Sequence, residues 1–312
     1  MPEPGLSTRL DAAWGNPETW VANGEHWTHL DAIHRLINRR VSGDPAINPL
    51  AWFGRHLADA GCWPLRRVLV LGCGAGHLER ELHGLGFARE IVAFDLSPQV
   101  LDVARKNVAG LDGITHVLAS LDDLPVGQAP FLPGSFDAVL GVSSVHHCSQ
   151  LESLYEAVAQ LLTPDGWFYL DEYVGPDRFQ YSERHIEQVK ALADLLPDRL
   201  LATQTGVVKK GFRAPTVAEV IAVDPSEAVH SSNILPLLPD YFRVVAQRPY
   251  GGSLLHVLLA DIAQNFHAPD ARPWLQALMD AEDDLDRLGQ LEQHFSCVIA
   301  RQRPGRSHSA SA

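Results

Sequence analysis

The sequence predicts an α/β fold: a doubly wound, mostly parallel sheet of seven strands, with N-terminal helices and an insertion after the fifth strand forming a lid. Short apolar runs of strand length alternate with stretches whose apolar residues recur every three to four positions, the pattern of a parallel sheet covered on both faces by helices. The first run, Val68-Leu-Val-Leu-Gly-Cys-Gly-Ala-Gly76, breaks into alternating glycines, and the next, Ile91-Val-Ala-Phe-Asp95-Leu96, carries an acid at its tip. At 312 residues and 46% hydrophobic content the chain can bury one substantial core. No linker rich in Pro, Gly or Ser divides it.

The elements follow in order. Residues 26–40 and 49–60 read as helices, the second opened by Asn48-Pro49. Strand one is 68–72, and Leu78, Leu82 and Leu85 stripe the next helix. Strand two is 91–95. Pro98 starts a helix through Asn107 with Val100, Leu101 and Ala104 on one face. Strands three, four and five are 115–119, 138–142 and 167–170, with a helix over 150–162 between the last two. The rhythm then lapses into an insertion holding a helix at 182–196, striped by Ile186, Val189, Leu192, Ala193 and Leu196. Asp224-Pro225 predicts a further helix start, running through Ile234 and Leu235. Strand six is 242–246, helices span 253–266 and 273–291, and a last strand is 295–300. The expected organisation is a helical lid segment at 1–66, a main domain at 67–303 with the lid insertion at about 174–235, and a disordered tail at 304–312, rich in Ser, His, Ala and Gly.

Charge and composition exclude some classes of function. The net charge is −13 with scattered Lys and Arg, so nothing would draw a phosphate backbone from solution, and nucleic acid is not expected as a partner. The basic pairs Arg39-Arg40 and Lys209-Lys210 read as solvated surface. Cys62, Cys73, Cys148 and Cys297 lie far apart without a C-x-x-C, so neither a zinc site nor a disulfide framework is expected, and no metal ligand is assigned. No run reaches the ~20 apolar residues of a membrane span and the first residues lack an apolar leader. A cytoplasmic protein is expected, with a homodimer left open.

A strand that ends in glycines lets backbone approach a ligand, and an acid at the tip of the neighbouring strand can grip a ribose through both hydroxyls. The spacing is Gly72-x-Gly74-x-Gly76, with His77 where the third glycine of a dinucleotide fingerprint would fall, so a pyrophosphate site is disfavoured. Here the chain resembles the class I S-adenosylmethionine-dependent methyltransferases, on the glycine loop, Asp95-Leu-Ser-Pro, Ser135-Phe-Asp-Ala-Val-Leu, Val145-His-His and Leu162-Thr-Pro-Asp-Gly-Trp-Phe. Ile37-Asn-Arg-Arg-Val-Ser-Gly-Asp-Pro and Asp171-Glu-Tyr-Val-Gly-Pro-Asp-Arg-Phe-Gln look similar to a bacterial subgroup of stand-alone enzymes of that family.

The resemblance implies S-adenosylmethionine as cofactor and a final strand antiparallel beside strand six. It places Gly72, Cys73, Gly74 and Gly76 in backbone approach and His77 beneath the methionine moiety. Asp95 would hold the ribose, Leu96 pack on the adenine, Ser120 and Leu121 lie at the adenine edge, and Ser143 and Ser144 near the methionine end. Two positions depart from the family pattern. Val70 stands where an acid usually faces the cofactor's amino group, and Ser120 where an Asp often faces the adenine amine. Backbone carbonyls, Asp122 or a side chain outside the core are the substitutes open to the ammonium.

Methyl transfer needs a nucleophile held in line with a sulfonium methyl, and a hydroxyl acceptor gains from a general base. The catalytic candidates are His146 and His147 after strand four and Glu172 and Tyr173 leaving strand five, the histidines having helix capping or cofactor lining as their plainer role. Asp171 leaves strand five at the same edge and could orient or deprotonate the acceptor, with a helix cap or loop anchor as its plainer role, and Arg178 and His185 are lid residues that could meet an anionic group or simply face solvent. The expected function is transfer of a methyl group to a small-molecule or glycan acceptor at oxygen, with nitrogen or sulfur as second choices. The rivals are a relative doing non-methyl chemistry, a non-catalytic binding subunit, and a nicotinamide oxidoreductase already disfavoured by His77.

Overall fold

The computed structural model describes Thr8 and residues 25–303. Its centre is one seven-stranded sheet. The strands are β1 (Leu65–Leu71), β2 (Ala88–Asp95), β3 (Ile114–Leu118), β4 (Phe136–Val142), β5 (Leu162–Tyr173), β6 (Phe242–Gly251) and β7 (Phe295–Gln302). They lie in the order β3-β2-β1-β4-β5-β7-β6. The first five run parallel, and β7 pairs antiparallel with both β5 and β6. The doubly wound, seven-stranded α/β fold expected from the sequence is therefore present.

The cause of burial on both faces is the two-residue period of a strand. Val68, Val70, Ile91, Ala93, Ala138, Leu140, Trp167 and Tyr169 pack on one face. Their neighbours Leu69, Leu71, Val92, Phe94, Val139, Phe168 and Leu170 pack on the other. The first face is covered by α1 (Asp31–Ser42), α2 (Pro49–Asp59), α3 (His77–Gly84) and α4 (Pro98–Asn107), through Leu36, Phe53, Leu82 and Leu101. The second is covered by α5 (Leu151–Leu161) and α8 (Ile234–Tyr241), through Leu154, Val158 and Leu238. Between β5 and β6 also lie α6 (Glu183–Ala193) and α7 (Val217–Val223), and α9 (Ser253–Leu259) and α10 (Arg272–Arg287) fall between β6 and β7.

Several expectations need correction. Asp224-Pro225 does not start a helix: Asp224 ends α7, and its Oδ1 accepts from the Ser226 N–H and hydroxyl at 2.7 Å, forming a turn. The helix before it went unread despite its capping box, in which Thr216 and Glu219 satisfy each other's backbone N–H groups. Strand six runs to Gly251 rather than 246. As the sheet's edge strand it tolerates exposed Arg243 and Arg248 and the Pro249 that masked it. Arg40 is not solvated surface, because its guanidinium pairs with buried Glu282 at 2.9 Å and with Asp283, and donates to the Tyr250 carbonyl at 2.7 Å. Lys209 likewise donates to the Val257 and Ala260 carbonyls. The expected disordered tail and residues 1–7 and 9–24 of the expected lid segment lie outside the described residues. Among the described residues no helix is long and apolar enough to cross a membrane.

Candidate active site

Strand order reverses between β1 and β4, and ligands of open α/β sheets bind in the crevice outside the strand ends at such a point. Three structures meet there: the glycine loop after β1, the histidine turn after β4, and a turn at 224–229 contributed by the insertion.

The loop 72–76 folds tightly because its glycines all take positive φ, at 58°, 52° and 80° for Gly72, Gly74 and Gly76. Their surroundings differ. A Cβ at Gly76 would meet Ala104 of α4 at 3.2 Å and one at Gly72 would meet the Ser144 Cβ at 2.8 Å, whereas one at Gly74 would meet nothing within 4 Å. Gly72 and Gly76 thus serve close packing, and Gly74 presents bare backbone to open space. Asp95 at the end of β2 turns its carboxylate onto this loop, Oδ2 accepting from the Gly74 N–H and Oδ1 from the Ser97 N–H, each at 3.0 Å. Burial raises the Asp95 pKa, while those backbone donors pull against the rise. A carboxylate oxygen holding one donor retains a lone pair, so Asp95 can still accept from a ribose hydroxyl.

The other cofactor candidates fall around the same crevice. Leu121 lies 3.9 Å from the place a Gly72 Cβ would take. Ser120 accepts from the Asp122 N–H, Ser144 Oγ is buried without a partner among the described residues, and Ser143 is exposed with φ 50°, its N–H on the Asp171 carbonyl. Leu96 follows Asp95 at the strand end, and His77 is exposed as the first residue of α3. Asp122, one of the substitutes open to the ammonium, is already engaged at the start of α5, its Oδ1 accepting from the Ser149 and Gln150 N–H groups and its Oδ2 from the Ser149 hydroxyl. The crevice fits an adenosyl group, with no acid at the usual ammonium position.

The histidine turn is organised by Glu172. Its Oε1 accepts from the Ser144 and Val145 N–H groups, both at 2.8 Å, and its Oε2 lies 2.7 Å from His146 Nδ1. Glu172 is only 1% exposed, so it acts through His146 rather than on a ligand. Burial pulls the His146 imidazole down, but the Glu172 hydrogen bond and nearby carboxylates outweigh it, and the net shift is upward. His147, its ring 4.3 Å from that of His146, goes the other way through burial and its neighbour's charge. The Tyr173 hydroxyl donates to the Pro176 carbonyl at 3.0 Å and burial drives its pKa far up, so that ring packs against Phe179 and Phe295 and does not serve as a base.

The insertion supplies what the sequence reading missed. The Val229 N–H donates to the His146 carbonyl at 3.1 Å, His147 Nδ1 meets the Ser226 hydroxyl at 3.0 Å, and Glu227 Oε1 stands 3.6 Å from His146 Nε2. Ala228 beside it holds φ 46° while wholly buried. Arg178 donates to the Glu227 carbonyl at 2.9 Å and so ties down this turn; His185 stacks on Tyr181 instead of facing solvent. Asp171, inside β5, accepts from the Tyr250 hydroxyl of β6 at 2.8 Å, so it ties two strands together and neither caps a helix nor anchors a loop. Two surface clefts, one beside Arg40 and Glu282 and one beside Arg35 and His267, contain none of these residues.

Residues 68–166 match the family model described as a methyltransferase domain. A ubiquinone biosynthesis O-methyltransferase of Xanthomonas campestris pv. campestris (strain B100) is 32% identical over 160 residues, half of this chain and 64% of that protein. Its counterpart in Xanthomonas oryzae pv. oryzae (strain PXO99A) is 34% identical over 167 residues, again half of this chain and 65% of that one. The chain thus spans just under two thirds of the length of these relatives. Among solved structures, an S-adenosylmethionine-dependent methyltransferase from Mesorhizobium loti aligns with TM-score 0.43 and 18% identity over 76% of this chain and 90% of its own. Residues 68–166 thus match a methyltransferase domain, and the glycine loop, the Asp95 carboxylate turned onto it and the sheet order are consistent with the class I S-adenosylmethionine-dependent methyltransferases that the sequence resembles.

Proposed function

We propose that the chain transfers a methyl group from S-adenosylmethionine to a hydroxyl oxygen of a small-molecule or glycan acceptor. When bound, the cofactor supplies an electrophilic methyl on a sulfonium. The chain's part is to hold the adenosyl group at Gly72, Cys73, Gly74, Gly76 and Asp95, with Leu96, Ser120, Leu121, Ser143, Ser144 and His77 around it. The observation that carries the reading toward oxygen is the His146–Glu172 pair: a carboxylate that fixes Nδ1 leaves Nε2, which stands 3.6 Å from Glu227 Oε1, as the nitrogen able to take a proton, the arrangement a general base requires. Removing a hydroxyl proton in this way contributes roughly a hundred- to ten-thousandfold. Amines and thiols need little of that help. The name of the Xanthomonas relatives, an O-methyltransferase, supports the same choice. The insertion contacts His146 and His147 from above the strand ends and is proposed to act as the lid.

The test is incubation with panels of phenolic, aliphatic hydroxyl and amine acceptors, followed by chromatography for S-adenosylhomocysteine. His146→Ala is expected to lower kcat toward hydroxyl acceptors at least about a hundredfold while S-adenosylhomocysteine binds as before. Equal turnover of the variant would refute the assignment to oxygen. The absence of an acid at Val70 favours a second reading, a cofactor-binding relative with other chemistry or a non-catalytic binding subunit. Binding of S-adenosylhomocysteine with no methylated product from any acceptor would support that reading.

A further inference from the structure

A second polar group lies behind the glycine loop, on the sheet face covered by α3 and α4. Register sets Val70, Ala93 and His116 in one row across β1, β2 and β3, and Val70 and Ala93 pack on that face, so His116 of the edge strand points the same way. Cys73 of the loop packs there too, and α3 brings Glu79 in from its first turn. One donor atom from each of Cys73, Glu79 and His116 lies within 4.8 Å of the other two. His116 Nε2 stands 3.7 Å from Glu79 Oε1, too long for a hydrogen bond. Two ligands of a tetrahedral ion at about 2.1 Å are separated by about 3.4 Å. The burial of the group is an independent observation. The Glu79 side chain is 0% exposed and that of His116 4%, and Cys73 is 8% exposed. Among the described residues, both Glu79 oxygens and His116 Nε2 have no hydrogen-bond partner, and the Cys73 thiol has only a long contact to the Gly74 carbonyl at 3.7 Å. Buried polar atoms are ordinarily satisfied, so orphans that converge from a loop, a helix and a strand call for a shared partner. Asp95 adds negative charge beside Glu79, whereas Arg105, which acts on His116 from α4, is half exposed and already paired with Asp102.

We infer that Cys73, Glu79 and His116 form a binding site for one divalent cation of the zinc class. A thiolate, an imidazole and a carboxylate suit Zn2+, and poorly suit Mg2+ or Ca2+, which take oxygen ligands. Three protein ligands leave a water to complete a tetrahedral ion. Such an ion ties the glycine loop to α3 and to the edge strand, and so stiffens the loop from the side opposite its bare backbone. Burial keeps the thiol and the carboxyl protonated at and below neutral pH, and ion binding releases those protons to solvent. The metal-free chain is therefore the state in which Glu79 titrates as a buried acid. The inference does not rest on the proposed reaction, since these side chains bind whether or not methyl is transferred.

The test is titration of Co2+ into the full chain after stripping with EDTA, followed by competition with Zn2+. One equivalent of Co2+ is expected to bind with a thiolate-to-cobalt charge-transfer band in the near ultraviolet, and Zn2+ to displace it. Cys73→Ser is expected to remove the band. Glu79→Gln and His116→Ala are each expected to weaken Zn2+ more than about a hundredfold, since loss of an outer-shell partner alone costs roughly ten- to a hundredfold. Cys62→Ser changes the one cysteine of the four that is not buried, and is expected to leave band and affinity unchanged. A band that survives Cys73→Ser or vanishes with Cys62→Ser overturns the site, as does Zn2+ bound equally by Glu79→Gln or not bound by the wild type. Should Cys73→Ser fail to fold, Glu79→Gln decides alone, because it keeps the shape of the side chain. S-adenosylhomocysteine titrated into the stripped wild type reports on the cofactor crevice separately, so loss of one result leaves the other standing.

Discussion

Glu79 offers the sharpest test of the electrostatics beneath the glycine loop. It is wholly buried in the first turn of α3, and among the described residues neither carboxylate oxygen has a well-formed hydrogen-bond partner; its own backbone N–H and the Cys73 thiol pull only weakly against burial. His116 Nε2 lies 3.7 Å away, but burial lowers that imidazole's pKa, so it stays neutral and gives little compensation near neutral pH. Burial therefore raises the Glu79 carboxyl from its ordinary 4.5 to about 7. An acid raised by folding binds its proton more tightly in the folded chain, so stability is full below the unfolded value and is lost as pH climbs from about 4.5 through about 7. At about 1.36 kcal/mol per pH unit the whole loss is about 3 kcal/mol, of which about 1 kcal/mol is already felt at pH 5. Glu79→Gln keeps the shape and removes the ionisation. Any fixed cost of burying the amide is the same at every pH and cancels. The variant's stability relative to wild type is thus expected to improve by about 2 kcal/mol between pH 5 and pH 8, or roughly 3 °C in Tm for a chain of this length. Urea unfolding of both proteins across that range measures it. A flat difference, or one that falls with pH, would mean that Glu79 is ionised and paired in the folded protein.

Asp95→Ala is expected to abolish calorimetric binding of S-adenosylhomocysteine while the circular dichroism spectrum is kept; wild-type affinity in the variant would overturn the ribose assignment. Gly74→Ala and Gly76→Ala should separate ligand approach from packing. The first puts a methyl into open space and is expected to weaken S-adenosylhomocysteine at least about tenfold with roughly 1 kcal/mol of instability, whereas the second drives a Cβ into Ala104 and is expected to cost about 2–4 kcal/mol in urea unfolding. Arg40→Ala leaves Glu282 buried without its cation, and a loss of about 3–5 kcal/mol is expected. A loss under about 1 kcal/mol would show that the three backbone N–H groups on Glu282, from Gly252, Leu254 and Leu255, suffice to hold its charge.

What the sequence displays and what it hides divide along a physical line. The central strands were legible because both faces of β1, β2, β4 and β5 are buried, so their residues are apolar almost without interruption. The glycine loop was legible because a positive φ and a close approach to Ala104 leave little choice of residue type. The edge strand β6 was cut short because one side is wet and admits arginine and proline. Asp224-Pro-Ser-Glu227 misled for a different reason: the side-chain acceptor that caps a helix N-terminus serves equally well to close a turn, and only the surroundings choose. The same limit governs the site. Residue types at the strand ends suggested His146, His147 and Glu172 as chemically capable groups, but their roles depend on who faces whom across 26 residues for Glu172 and 79 for Ser226. Those distances along the chain are closed by parallel register, which sets β4 beside β5 with Val142 opposite Asp171, and so puts Glu172 beneath the turn that follows β4. Glu172 thereby pairs with His146 Nδ1, and His146 Nε2 faces the Glu227 carboxylate from the insertion. On the proposed reading, the sheet fixes the histidines and the insertion delivers Glu227, so the acceptor chemistry could change with the insertion while the cofactor crevice stays the same.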